Sequence, residues 1–246
     1  MKGVILAGGS GTRLHPLTKI TNKHLLPLYN KPVIFHAVEK LVNAGIDKIM
    51  IVVSPQYLDD FVSVLGSGQD FKSKKTGHQI QIVYGIQNEP NGISAGLWLA
   101  KDFVGTDNVL LHLGDNIVED DVTEHVENFK GGAKVFLKEV HDPKRFGIAT
   151  IDEQGFVTEI IEKPQEPKTN LAVVGVYMYD NTVFDKIEGQ EKSERGEYEI
   201  TWVNNRYIDE GTLDAGRVEG AWFDIGTFDS LLTASIYMKD KAAEKK

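Results

Sequence analysis

The 246-residue sequence predicts an α/β protein, a three-layer α/β/α sandwich around a mixed central sheet. Three observations predict it. Short apolar runs alternate with helix-periodic segments through the first half, a glycine-rich loop directly follows the first run, and the runs after Asp115 are separated only by turn-forming segments. Strand, helix, strand order calls for parallel pairing through right-handed crossovers, and such a sheet is covered on both faces by its own helices. Where the helices stop, the sheet is expected to become mixed or antiparallel.

KGVILA at 2–7 is a short apolar run and reads as a buried strand. The helix after it lies in PVIFHAVEKLVNAG, where Val33, Ala37, Val38 and Leu41 share one face and Gly45 ends the pattern. IDKIMIVVS is the next strand, QYLDDFVSVLG a helix, IQIVYGIQ a strand, ISAGLWLAKDFVG one helix, and NVLLHLGD a strand ending at Asp115. Beyond it AKVFLKEV, FGIATI, FVTEIIE and LAVVGVYMYD are strand-like, parted by DPKR, DEQG and KPQEPKTN, with no helix long enough for a crossover. A helix is expected from near Glu197, and another after Thr227, whose side chain can cap TFDSLLTASIYMKD. The charged tail KDKAAEKK reads as a fraying helix end.

No linker, repeat or low-complexity stretch divides the chain, so residues 1–246 are expected to form one domain, with a nucleotide-binding half at about 1–116 and a second-substrate half at about 117–240. The formal charge of −9 argues against a general nucleic-acid binder. No apolar run is long enough for a membrane span and no leader pattern is present. Cysteine is absent, which removes disulfides and thiolate chemistry and fits a cytoplasmic enzyme. The seven histidines show no metal-binding spacing, although His15 and His24 flank the glycine loop.

That loop, Leu6-Ala7-Gly8-Gly9-Ser10-Gly11-Thr12-Arg13-Leu14, carries the most chemical information. Glycines let backbone N–H groups approach a ligand, while Arg13 supplies a planar fork and Lys23 a movable point charge, which together suit the phosphates of a nucleoside triphosphate. Leu14 stands where a dinucleotide fingerprint needs glycine, and GTR stands where a Walker loop needs GK[ST]. Asp115 and Asp224 each end an apolar stretch, as turn residues or as a pair of Mg²⁺ ligands. Glu162 and Lys163 end another; Pro164 is expected to hold Lys163 extended, and the two could bind sugar hydroxyls and phosphate or form a solvated charge pair. The DPKRFG turn places Gly147 for a close backbone approach.

In order along the chain, GGSGTRLHPLT, KHLLPLYNKP, LGDN, EKP, VVGVYMYD and WFDIGT resemble the motifs of the sugar nucleotidylyltransferases, and most closely those of the thymidylyl-transferring branch. The resemblance covers nearly the whole chain. It implies a Rossmann-like nucleotidyltransferase fold, Mg²⁺ as cofactor, dTTP and glucose 1-phosphate as substrates, dTDP-glucose and pyrophosphate as products, and a cytoplasmic homo-oligomer, dimer or tetramer. It also implies a place in nucleotide-sugar biosynthesis for cell-surface polysaccharide, the dTDP-rhamnose route. Carried over residue by residue, it assigns Leu6, Gly8, Gly9, Gly11, Thr12, Arg13, Lys23, Gln87, Gly92 and Asp115 to the nucleotide. It gives Asn116, Gly147, Glu162, Lys163 and Val174 to the sugar phosphate and Asp115 with Asp224 to the metal, with Arg13, Lys23, Asp115 and Lys163 carrying catalysis.

Three positions depart from the thymidylyl pattern. GLAQA or GIAQA is GISAG here, the tyrosine before Gly147 is Phe146, and EITD is EITW at Trp202. The motifs shared by the whole family leave related transferases using UTP, CTP or GTP open. A non-catalytic nucleotide-sugar binder would be marked by loss of a charged residue, yet Arg13, Lys23, Asp115, Lys163 and Asp224 are all present. A nicotinamide dehydrogenase is disfavoured by Leu14 and by the second cation at the loop.

Overall fold

A computed structural model describes residues 1–244, so the last two residues of the charged tail lie outside it. The nine strands of the main sheet are β1 (Lys2–Ala7), β2 (Lys48–Val53), β3 (Gln81–Ile86), β4 (Val109–Leu113), β5 (Ala133–Glu139), β6 (Gly147–Ile151), β7 (Val157–Glu162), β8 (Leu171–Tyr179) and β9 (Leu213–Arg217). β3, β2, β1 and β4 lie side by side and parallel, as the alternating first half requires. β8 then runs antiparallel to β4, pairs with β5 along its other edge, and meets β6 beyond the end of β4, with β7 antiparallel on the far side of β6. β9, which the sequence reading did not anticipate, pairs parallel with β5.

Helices α1 (Val33–Asn43), α2 (Leu58–Leu65), α3 (Ile93–Trp98) and α4 (Lys101–Val104) connect the parallel strands. Val33, Ala37, Val38 and Leu41 are fully buried, so the predicted face of α1 is the packed face. The single helix expected over ISAGLWLAKDFVG is interrupted at Leu99 and Ala100. Two short helices, α5 (Thr123–Asn128) and α6 (Val183–Ile187), lie where none was expected. α7 (Ile200–Asp209) begins three residues after the predicted Glu197, because the intervening backbone pairs elsewhere: Tyr198 donates its N–H to the carbonyl of Asn91, and its own carbonyl accepts from Ser94. α8 (Phe228–Glu244) starts where Thr227 accepts from the N–H of Ser230 at 3.2 Å, the predicted cap.

Two apolar layers sandwich the sheet. One gathers Ile5, Val38, Leu41, Ile51 and Val176; the other gathers Val4, Val52, Leu97, Leu111, Tyr179 and Val203. A two-stranded ribbon stands apart from the main sheet, with Asn116–Val118 antiparallel to Trp222–Asp224. No helix among the described residues is long and apolar enough to cross a membrane.

Candidate active site

The carboxyl ends of β1, β3 and β4 open into a cavity of about 260 Å³ lined by Leu6, Gly8, Gly9, Lys23, His24, Gln87, Gly92 and Asp115, among others. That is where a parallel sheet binds ligands, since the connecting loops diverge there. Gly11, at φ 62°, turns the loop so that its carbonyl accepts from Leu14 N–H and from Thr18 Oγ1, and buried Leu14 anchors the turn carrying exposed Thr12 and Arg13. The side chain of Lys23 passes close beneath Gly9 and Gly11, and its ammonium pairs with Asp115.

Gln87 is fixed by a 3.2 Å bond from Nε2 to Asn91, which leaves its Oε1 beside Gly8, where a Cβ would lie only 2.9 Å away. Gly92, at φ 117°, is required for another reason: a Cβ there would meet the Tyr198 carbonyl at 2.4 Å. In the GISAG departure, Ser94 is buried with its hydroxyl unpartnered, and Gly96 lets Leu6 and Gln87 crowd in, at 3.1 and 3.3 Å from an added Cβ. Beyond Gln87 a further cavity of about 530 Å³, lined by Asn91, Ala95, Trp98 and Tyr198, has no cationic side chain and so nothing to hold phosphate.

A second cavity, of about 390 Å³, adjoins the first and shares Ile93 and Leu113 with it. Asn116, Gly147, Glu162 and Lys163 line it as expected. Val174 does not. Side chains alternate along β8, so Val173, Gly175 and Tyr177 face the cavity while Val174 is fully buried in the core on the other face. Lys163 is also corrected: its φ is 45°, left-handed rather than extended, and its N–H donates to the Phe146 carbonyl at 2.9 Å. A residue before proline is biased towards extended backbone, but the turn that closes β7 onto β6 overrides that bias at Lys163.

The ribbon brings the two aspartates together. Asp224 pairs in register with Asn116, and the N–H of Ile225 donates to the Asp115 carbonyl at 2.9 Å. Asn116 locks the corner: its Oδ1 accepts from Trp222 Nε1 at 2.7 Å and from Gly175 N–H at 3.1 Å, while its Nδ2 donates to Asp115 at 3.0 Å. Burial alone would push the Asp115 carboxyl up, but the Lys23 ammonium, His24 and the bonds from Lys23 and Asn116 hold it below the usual carboxylate range. Asp224 is pushed up, by burial first and then by the Asp115 charge, against the pull of Lys23, Arg145 and Arg13. His24, buried beside Lys23, is lowered to about 3 by burial and by that ammonium, so it faces the cavity neutral.

Among the described residues no three carboxylates or histidines form a ready-made metal cage. The aspartate pair nonetheless fits a hard divalent cation: two adjoining carboxylates offer oxygen ligands, their mutual repulsion is relieved by a cation, and Mg²⁺ typically completes its shell with phosphate oxygens and water.

Several residues overlooked in the sequence converge here. Arg145 donates to Asp224 at 3.3 Å, and Lys144, Tyr177, Thr201 and Trp222 line the second cavity. Arg195 pairs with Glu162 at 3.3 Å and Glu199 at 3.1 Å. The signal for Lys144, Arg145 and Arg195 is the charge in DPKRFG and SERGEYE, which reads equally as solvated loop. Phe146 packs against Trp222 with ring centroids 5.0 Å apart and planes tilted by 53°, so its missing hydroxyl leaves an apolar wall. Trp202 lies on the outside of α7 under Arg206.

A family model described as nucleotidyl transferase matches residues 2–241. The chain belongs to the nucleotidyl transferase family. Among curated relatives, this nucleotidyl transferase is 42% identical over 251 residues to the low-salt glycan biosynthesis nucleotidyltransferase Agl11 of Haloferax volcanii, covering all of this chain and 68% of that one. It is 42% identical over 245 residues to the glucose-1-phosphate thymidylyltransferase of Mycolicibacterium smegmatis, covering 97% and 82%. A Bacillus anthracis crystal structure described as a glucose-1-phosphate thymidylyltransferase, in complex with sucrose, superposes with a TM-score of 0.90 at 47% identity over 98% of this nucleotidyl transferase and 96% of that chain. A UDP-glucose pyrophosphorylase structure, at 22% identity and a TM-score of 0.83, shares the fold.

Proposed function

We propose that this nucleotidyl transferase moves a thymidylyl group from dTTP to glucose 1-phosphate, giving dTDP-glucose and pyrophosphate. The observation that carries the reading is the joining of a glycine-loop cavity and a sugar-sized cavity at one aspartate pair, in a chain about 40% identical to curated thymidylyltransferases over 97% of its length. Gly8, Gly9, Gly11, Thr12, Arg13 and Lys23 cradle the triphosphate, and Gln87 with Gly92 reads the base through its carbonyl and imide edge. Glu162 and the Gly147 backbone take sugar hydroxyls, and Lys163 orients the phosphate. An oxygen of the sugar phosphate attacks the α-phosphorus and the bond to pyrophosphate breaks. That oxygen is already ionised, so no general base is needed, and positioning with charge neutralisation does the catalysis. Asp115 and Asp224 would hold Mg²⁺, which when bound supplies neutralisation at the reacting phosphates.

The absence of cysteine supports a cytoplasmic setting, and the acidic charge supports small-molecule rather than nucleic-acid partners. An exposed apolar stripe on α8, Phe228, Leu232 and Ile236 at four-residue spacing, supports a homo-oligomer.

Pyrophosphate release measured with each nucleoside triphosphate against several sugar 1-phosphates tests the reading. dTTP with glucose 1-phosphate is expected to lead, with UTP second, because one methyl in an apolar pocket is worth about 1–3 kcal/mol. CTP and GTP exchange donors for acceptors at Gln87 and fall further behind. Higher kcat/KM with CTP or GTP than with dTTP would overturn the thymidylyl assignment.

A further inference from the structure

The second cavity carries more positive charge than its sugar ligands need. Four cationic side chains line it, Arg13, Lys144, Arg145 and Lys163, against two carboxylates, Glu162 and Asp224. Lys163 leans on Glu162 at 3.4 Å. Arg13 sets its guanidinium against Gly226, where an added Cβ would lie 2.6 Å from Nη2 and 3.2 Å from Asp224 Oδ2.

Arg145 stands on a rigid mount. It ends the turn Pro143–Arg145, in which Phe146 N–H donates to the Pro143 carbonyl at 3.3 Å; Phe146 is held in turn by Lys163 N–H and by packing against the tilted ring of Trp222. The guanidinium lies 5.4 Å from the centre of the Phe146 ring. Its hold on Asp224 is slight, one bond at 3.3 Å from a single nitrogen of a side chain 37% exposed. A committed guanidinium–carboxylate pair is usually bidentate at about 2.7–2.9 Å, and the other N–H groups of this fork have no acceptor among the described residues. The contact therefore has the character of a resting place beside a cavity built for an anion.

We propose that Arg145 binds the phosphate of the sugar 1-phosphate, leaving Asp224 to do so. Resting against Asp224, it spares the carboxylate an uncompensated charge while the cavity is empty of anion. Once the sugar phosphate enters, Arg145 exchanges one carboxylate oxygen for two phosphate oxygens, and Asp224 is freed for another cation. This deepens the sugar-phosphate reading above and rests on it.

The test is calorimetric titration of glucose 1-phosphate, in chelator, into the full-length protein saturated with dTTP whose α,β-bridging oxygen is replaced by methylene. Arg145→Ala is expected to weaken glucose 1-phosphate by roughly 10- to 100-fold, the effect of a lost charge-assisted bond, while affinity for the dTTP analogue and the thermal midpoint stay near wild type. Arg145→Lys, a point charge without the fork, should recover only part. Asp224→Asn should tighten glucose 1-phosphate under the same conditions, and Asp224→Asn with Arg145→Ala should lose that gain. Undiminished binding by Arg145→Ala, or a gain that survives in the double variant, overturns the proposal. A wild-type protein that takes the dTTP analogue but not glucose 1-phosphate overturns the sugar reading and this proposal together.

Discussion

Asp115 and Asp224 owe their meeting to backbone pairing, so their side chains can be neutralised without moving the strands that present them. Asp115→Asn and Asp224→Asn are each expected to lower turnover by roughly 10²-fold or more, because a neutral amide is a poor ligand for a hard cation and, at position 115, a poor partner for Lys23. Activity against Mg²⁺ concentration checks this, and near-normal turnover at limiting Mg²⁺ would remove that residue from the metal site. Arg13 lies against Gly226 whereas Lys163 leans on Glu162, so their losses should separate. Arg13→Ala should reduce kcat by roughly 10²-fold, as removal of a preorganised donor does. Lys163→Ala should chiefly raise the KM for glucose 1-phosphate. Steady-state kinetics with both substrates varied would expose an exchange of roles if the two patterns came out reversed.

At the scale of elements, β8 shows where sequence reading ran out. All nine residues of LAVVGVYMY are buried, so no polar alternation marks that Val173 and Gly175, rather than Val174, face the cavity. The same uniformity hid the purpose of Gly175, where a Cβ would lie 2.5 Å from the Asn116 amide. Gly175→Ala should force Asn116 off Trp222 and Asp115, destabilising the fold by about 1–3 kcal/mol, the usual cost of overpacking, and cutting turnover out of proportion. Urea unfolding and kcat measured side by side decide it; a variant with wild-type values for both would show that the corner yields freely. Local features were legible: the periodic face of α1, the loop after β1 and the cap at Thr227 each depend on neighbours a few residues away. Arg145 meets Asp224, and β9 meets β5, only after the whole sheet is assembled, and no local pattern encodes such contacts.

For the molecule as a whole, a half-buried histidine, His36, and a buried one, His112, lower stability in acid. His36 is lowered to about 4 by burial and by Lys31, and His112 to about 4 by burial, which outweighs the opposing bond to the Leu113 carbonyl. In the unfolded chain both titrate near 6.5, so between about 6.5 and 4 the unfolded state binds protons that the native state refuses. Stability is therefore complete above about pH 6.5 and falls as pH drops towards 4, by on the order of 1–3 kcal/mol for each histidine. Urea midpoints at pH 7.5 and 5.0 should show the fall, and His112→Gln should flatten it; equal midpoints for the wild type would mean both rings already carry protons in the fold.

The ribbon joining Asn116–Val118 to Trp222–Asp224 is three residues long and separate from the main sheet, yet it sets the aspartates side by side. So short a pairing opens at a lower free energy than nine strands packed between two apolar layers. Mild denaturant should then silence the protein before it unfolds. Enzyme assays along a urea series would lose signal at concentrations where far-ultraviolet circular dichroism is still native, and dilution would restore turnover without a refolding lag. Chemical competence in this molecule is a small detachable clasp, with a stability of its own below that of the scaffold it closes.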